Sequence, residues 1–250
     1  MAVRRADAGP VGGETVNGAV YQERLQIGSS HGRLSGELAY GSGAEWCACL
    51  LVNPHPYMGG QMANNVVRAL SLGLAEEGIV TLRFDYSGVG ESDGAAVDVV
   101  GAMAQFWATG RSAHDPRMLD DVRCAAEWLR AHVRLPLVLA GYSFGAHAMQ
   151  AALADDVVAA ILISPTIRHH DFALVGGLPI PKLIVYGDND FTATAEEVEA
   201  WVGCAARPRT AHRIPGGQHF YKGCEEILCR VCREFLIAAV TGRGASPCPS

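Results

Sequence analysis

Leu137-Val138-Leu139-Ala140-Gly141-Tyr142-Ser143-Phe144-Gly145-Ala146-His147-Ala148-Met149-Gln150-Ala151-Ala152-Leu153 is the stretch on which the reading of this chain turns. An apolar run ends in Gly-x-Ser-x-Gly, and good helix formers follow. The pattern predicts a strand over 137–142, a sharp turn through Ser143 and a helix over 145–153. Such a turn crowds the backbone, so the positions flanking the serine must be nearly free of side chain, which glycine supplies. The serine hydroxyl is then presented outward, where a base can reach it. In a chain with 29 glycines the pentapeptide alone carries limited weight. The context adds to it: a strand before, a helix after, and an acid and a histidine further along in the order serine, acid, histidine.

The same alternation of elements extends to both sides. Residues 21–27 and 33–40 alternate polar and apolar side chains around Gly28-Ser29-Ser30-His31-Gly32 and predict an antiparallel hairpin. Residues 46–52 form a nearly continuous apolar run, as expected of a strand buried on both faces. Met62, Val66, Leu70 and Leu74 recur at helical spacing, closed by Gly78. Further strands are expected at 79–84, 157–164, 181–186 and 209–214, and further helices at 119–132, 195–202 and 222–240. Strands alternating with helices imply a mainly parallel, eight-stranded α/β sheet with helices on both faces and the opening hairpin as its antiparallel edge.

Bulk properties agree with one such domain. A chain of 250 residues with 49% hydrophobic and 18% charged residues can bury one sizeable core. The net charge of -6 offers no basic surface for phosphates, so no nucleic-acid partner is expected. No apolar run approaches the roughly 18 residues of a membrane span, so no membrane partner is expected. Arg4-Arg5 is followed by Ala6-Asp7-Ala8-Gly9-Pro10 and not by an apolar export segment. Residues 1–20 are expected to be a disordered tail, 21–240 the domain and 241–250 a flexible end, in a cytoplasmic protein.

Eight cysteines include Cys224, Cys229, Cys232 and Cys248, a spacing that also occurs in plant-type iron–sulfur proteins. On a helix, however, Cys224 and Cys229 point roughly 140° apart. Cys224 and Cys232 share a stripe with Leu228, Val231 and Phe235, where a free cysteine acts as a small hydrophobe, and this is the favoured reading. Cys47 and Cys49 alternate on a strand and read the same way.

Beside the Ser143 turn, four further segments stand out: Asn53-Pro54-His55-Pro56-Tyr57-Met58-Gly59-Gly60, Arg83-Phe84-Asp85-Tyr86-Ser87-Gly88-Val89-Gly90-Glu91-Ser92, Tyr186-Gly187-Asp188-Asn189-Asp190 and Gly216-Gly217-Gln218-His219-Phe220. With them the chain resembles an α/β-hydrolase over 21–240, and more narrowly the small, lidless members related to dienelactone hydrolase. Of nine histidines, His219 is the favoured base, because it follows the last expected strand in a glycine-rich loop. His212 lies within a strand, His147 follows the turn by one helical turn and reads as a packing or capping residue, and His169 and His170 stand within possible reach of substrate. The resemblance puts the acid at the end of a Gly-x-x-Asp turn, hence Asp190, with Asp188 as a turn residue. Phe144 N–H, after the nucleophile, is one expected oxyanion donor. The loop that resembles the family's His-Gly-x turn should give the second, and since Pro56 has no amide hydrogen, Tyr57 is the candidate.

The short stretch 165–178 leaves little room for a lid, whereas 93–117 is a longer insertion. Its Met103, Phe106 and Trp107 either line an acyl pocket or pack the loop onto the sheet; Phe106 and Trp107, with His55, are the candidate substrate contacts. Arg83, Asp85 and Glu91 read as scaffold, and Ser87 stands where many relatives place an arginine. The resemblance implies a cofactor-free and metal-free serine hydrolase acting on a small-molecule carboxylic ester or thioester. Its rivals are an acyltransferase using the same acyl-enzyme and a non-catalytic binding protein that retains the turn.

Overall fold

The computed structural model describes residues 14–16 and 20–242. The eight expected strands are present: β2 (Val20–Ser29), β3 (Gly32–Gly41), β4 (Cys47–Val52), β5 (Ile79–Phe84), β6 (Leu137–Tyr142), β7 (Val157–Ile163), β8 (Lys182–Asn189) and β9 (Arg209–Gln218). A short β1 (Glu14–Val16) is added to them, paired antiparallel with the start of β2. It lies inside the segment expected as a tail, which is corrected to that extent; 1–13, 17–19 and 243–250 lie outside the described residues. The sheet runs β1-β2-β3-β5-β4-β6-β7-β8-β9, antiparallel from β1 through β5 and parallel from β5 through β9.

Residues of β4, β5 and β6 are buried throughout, as continuous apolar strands covered on both faces must be. Alternation along each strand sorts them into two cores. On one face Leu50, Leu82, Leu139 and Ile184 meet α3 (Asp115–His132) and α6 (Ala195–Cys204) through Val122, Ala126 and Val198. On the other, Leu51, Val138, Ala140 and Val185 meet α1 (Asn65–Ala75) and α7 (Glu225–Thr241) through Leu70, Leu74, Leu228 and Cys232. Cys232 thus fills the core as a small hydrophobe, and burial pushes its thiol well above the ordinary range. Cys248 is outside the described residues, and among those described no group of three or more His, Cys, Asp or Glu side chains is placed to hold a metal ion. Among the described residues no helix is long and apolar enough to cross a membrane.

Several boundaries differ from the sequence expectation for local reasons. Met62 precedes α1 because the Asn64 side chain accepts from Val66 N–H and Val67 N–H and so caps the helix there. The helix after Ser143 is brief, α4 (Phe144–Ala148), and continues as a 3₁₀ turn over Met149–Ala152. The insertion 93–117 holds a helix of its own, α2 (Val99–Thr109), capped by Asp98 and closed by Gly110 in the left-handed conformation, and it also contains the first turn of α3. The stretch 165–178 holds only the short α5 (Ala173–Gly177). β4 and β6 are neighbours whose following helices lie on opposite faces, α1 in one core and α4 in the other, and at such a switch point a crevice opens at the carboxyl ends of the parallel strands.

Candidate active site

Into that crevice β6 delivers Ser143 with φ 56 and ψ -121, a backbone conformation that side-chain-bearing residues rarely adopt. Packing leaves no alternative. A Cβ on Gly141 would fall 2.3 Å from the Gly145 carbonyl oxygen, and one on Gly145 would fall 2.1 Å from that of Val52. Ser143 N–H donates to the Ile163 carbonyl at 2.8 Å, and Ala146 N–H donates to the Ser143 carbonyl at 3.0 Å, which pins the turn on both sides.

Ser143 Oγ stands 3.0 Å from His219 Nε2, and His219 Nδ1 lies 2.9 Å and 3.0 Å from the two carboxylate oxygens of Asp190. With the carboxylate accepting only, Nδ1 carries the hydrogen and Nε2 is left to accept from the serine hydroxyl. The imidazole and carboxylate side chains are 1% and 3% exposed. Burial works to raise the Asp190 carboxyl, but hydrogen bonds from His219, Ser164 and Thr192 outweigh it and hold the group below the ordinary carboxylate value. Thr192 alone donates twice to Oδ1, from N–H at 2.8 Å and from Oγ1 at 2.7 Å. Asp188, two residues earlier, turns away to pair with Arg213 and to accept from Gly216 N–H at 3.2 Å.

Behind the imidazole lies a buried polar layer. Tyr142 O–H donates to the His219 carbonyl at 2.6 Å, and Ser164 Oγ and Tyr221 Oη are 2.7 Å apart. The Asp190 carboxylate only accepts, so the Ser164 hydroxyl donates to it and the Tyr221 hydroxyl donates to Ser164. Ser143, Ser164 and Tyr221 are the non-glycine residues with positive φ among those described, and all three belong to this network. Strain concentrated in one place in this way persists only where the surroundings over-determine it.

The facing loop is a 3₁₀ turn over Pro56–Met58 that starts at His55. A Cβ on Gly60 would fall 1.8 Å from the Pro54 carbonyl oxygen, so only glycine lets this loop fold back on itself. The expected scaffold residues brace it: Met62 N–H donates to Asp85 at 2.6 Å, Arg83 donates to the Met62 carbonyl, and Tyr86 O–H donates to the Asn53 carbonyl at 2.8 Å. Ser87, in the place of the relatives' arginine, donates to the buried Asp121 from N–H and Oγ at 2.8 Å and 2.7 Å. Phe144 N–H occupies the first position of α4 and has no carbonyl within the helix to meet. Tyr57 N–H makes only a long contact of 3.4 Å with His55 Nδ1.

His55 departs from the expectation of a substrate contact. It is 1% exposed, its ring 4.0 Å from that of Tyr57 and 5.3 Å from that of Phe144, so it supports the loop from beneath. Burial, reinforced by His114 and His170, pushes its pKa down to about 3, and its 3.5 Å approach to Asp115 is therefore no ion pair. Phe106 is also buried, against Tyr57 at 5.1 Å and His169 at 4.8 Å, whereas Trp107 is 65% exposed. His147 packs as expected, stacked on His170 at 4.6 Å. Sequence reasoning missed Ser164, Tyr221, Thr192, Phe191 and Phe220. Only Thr192 had a local signal, as the second residue after an aspartate.

No protein-family profile matches the chain. An uncharacterized protein of Rickettsia prowazekii (strain Madrid E) is 28% identical over 227 residues, 86% of this chain and 88% of that one. An alpha-beta serine hydrolase homologue from Coxiella burnetii superposes with a TM-score of 0.69 at 27% identity, covering 87% of this chain and 98% of its own. A serine hydrolase without a lid from Xanthomonas campestris superposes with a TM-score of 0.73 at 26% identity, covering 90% and 97%. Sheet order, the strained serine turn and these likenesses agree, and the chain is a member of the α/β-hydrolase superfamily.

Proposed function

We propose that the protein is a serine hydrolase that cleaves a small-molecule carboxylic ester or thioester through an acyl-enzyme on Ser143. The observation that carries this reading is the unbroken line from Asp190 through His219 to a serine held at φ 56. A serine hydroxyl is a poor nucleophile at neutral pH, and a base within hydrogen-bond reach removes that handicap. In the first step Ser143 Oγ bonds to the carbonyl carbon while its proton passes to His219 Nε2. The carbonyl π electrons move onto oxygen, to which Phe144 N–H and Tyr57 N–H donate hydrogen bonds. Tyr57 N–H is available because its resting contact with His55 is weak, and one such donor is worth on the order of 100-fold or more in rate.

Collapse then breaks the bond to the leaving group, which takes the proton from Nε2 and departs as an alcohol or thiol. A water molecule, deprotonated by the same nitrogen, attacks the acyl carbon; the second collapse breaks the bond to Oγ and returns the proton to Ser143. Asp190 keeps Nδ1 protonated and stabilises the transient imidazolium without taking the proton itself. Its depressed pKa suits that role, because the carboxylate stays ionised throughout.

A fluorophosphonate followed by intact-mass measurement tests the reading. One adduct is expected on the wild type, none on Ser143→Ala, and a strongly slowed reaction on His219→Ala. A folded wild-type protein that takes no adduct overturns it.

A further inference from the structure

Acid and base are each followed by a phenylalanine: Asp190-Phe191 and His219-Phe220. The turns that orient the two polar side chains also project these rings. Thr192 donates back to Asp190 from both N–H and hydroxyl, a tight turn that leaves Phe191 facing out. Tyr221 N–H closes onto the Gln218 carbonyl at 3.0 Å, Tyr221 takes positive φ to stay buried, and Asn65 holds the Phe220 carbonyl at 3.1 Å. Phe191 and Phe220 are consequently 49% and 40% exposed, yet 6.0 Å apart and 4.7 Å and 5.6 Å from the His219 ring. A pair of exposed aromatic rings seated on a buried imidazole is not core packing, and it leaves an apolar surface open beside the reacting atoms.

The stereochemistry of the reaction says which half of a substrate would meet it. At the tetrahedral carbon one bond goes to Ser143 Oγ and one oxygen points to Phe144 and Tyr57. The leaving oxygen must come within about 3 Å of Nε2 to receive its proton. The substituent on that oxygen therefore extends beside the imidazole, over Phe191 and Phe220. We infer that Phe191 and Phe220 form a leaving-group subsite selective for an apolar, ring-bearing alcohol. This rests on the hydrolase reading and adds a substrate class to it.

The experiment compares benzyl butyrate with methyl butyrate, whose alcohols differ little in leaving ability, on wild type, Phe191→Ala, Phe220→Ala, Phe191→Leu and Phe220→Leu. Each alanine variant is expected to lose about 10-fold of the benzyl-over-methyl ratio of kcat/KM, and the leucine variants less, as befits loss of one apolar contact. Breakdown of the butyryl-enzyme is common to both esters and cancels from the benzyl-over-methyl ratio, because the alcohol has gone by then. Equal losses on both esters, or losses that follow acyl length in a methyl acetate to methyl hexanoate series, overturn the subsite. Fluorophosphonate labelling of the same samples separates the two layers. Variants that label like the wild type but keep its benzyl preference overturn the subsite alone, whereas a wild type that does not label overturns the hydrolase reading and the subsite with it.

Discussion

At the carboxyl ends of β6, β7 and β9 the chain holds Ser143, Ser164 and Tyr221 in left-handed backbone and binds the polar side chains among them in a closed hydrogen-bond layer. Across the crevice, α2 carries no charged residue, buries only Ala102 and Phe106, and turns Val100 and Trp107 to water. The first wall is over-determined, so it tolerates strain and keeps Ser143, His219 and Asp190 in register. The second is attached through few buried side chains, with Phe106 set between Tyr57 and His169, so it can vary without disturbing the sheet. The difference teaches where each kind of substitution should act: rate and leaving-group preference on the first wall, stability on the second.

The largest effect that would break this comparison is at the nucleophile. Ser143→Ala should lower kcat/KM for ester hydrolysis by about 10,000-fold or more while the thermal midpoint stays near that of the wild type. Substantial residual turnover would move the chemistry elsewhere. Asp190→Asn should cost on the order of 1,000-fold or more, because an amide can favour the wrong imidazole tautomer. Asp188→Asn, which removes a charge facing Arg213 and Gly216 N–H and touches neither His219 nor Ser143, should leave kcat/KM close to wild type, and a large loss there would reverse the assignment of the acid.

Acid tests the loop between the walls. His55 titrates near 6.5 when unfolded and at about 3 when folded, so between these values only the unfolded chain takes up the proton. Its stabilising contribution is whole above pH 6.5 and is lost as pH falls toward 3, at about 1.4 kcal/mol per pH unit. His170, also pushed down to about 3 by burial and by His147, acts in the same direction. Asp115, raised by burial, acts in the opposite direction nearer the carboxylate range. Urea midpoints at pH 7, 6 and 5 should fall steadily, and His55→Gln should flatten the slope; a flat wild-type profile would mean that His55 is not buried neutral. On α2 the contrast is between neighbours: Phe106→Ala should cost about 3 kcal/mol by leaving a cavity against Tyr57. Trp107→Ala should stay within about 0.5 kcal/mol, and equal urea midpoints for the two variants would dissolve the distinction between the helix's two faces.

Much of the fold was legible because its signals are local. The apolar runs of β4 to β6, the helical spacing of α1 and the glycines around Ser143 each depend on residues within a few positions of one another. The brief β1 and the start of α3 at Asp115 were not legible, since a three-residue strand has too little pattern of its own and exists by pairing with β2. His55 read as a substrate contact because sequence places it in the right loop but says nothing of which way the ring turns; packing against Tyr57 and Phe144 turns it inward.

Taken alone, the sequence determined that this is an alternating α/β chain with a tight serine turn after its third parallel-type run, and it supplied two aspartates and then a histidine behind it. Tertiary structure decided which of the two aspartates meets His219, that Ser164 and Tyr221 stand behind that carboxylate, and that Phe191 and Phe220 share one surface. The physical reason is distance along the chain. Turn and strand preferences act between near neighbours, whereas Asp190, His219 and Ser143 come together only because the strand order sets the loops after β6, β8 and β9 at the same, carboxyl end of the parallel strands.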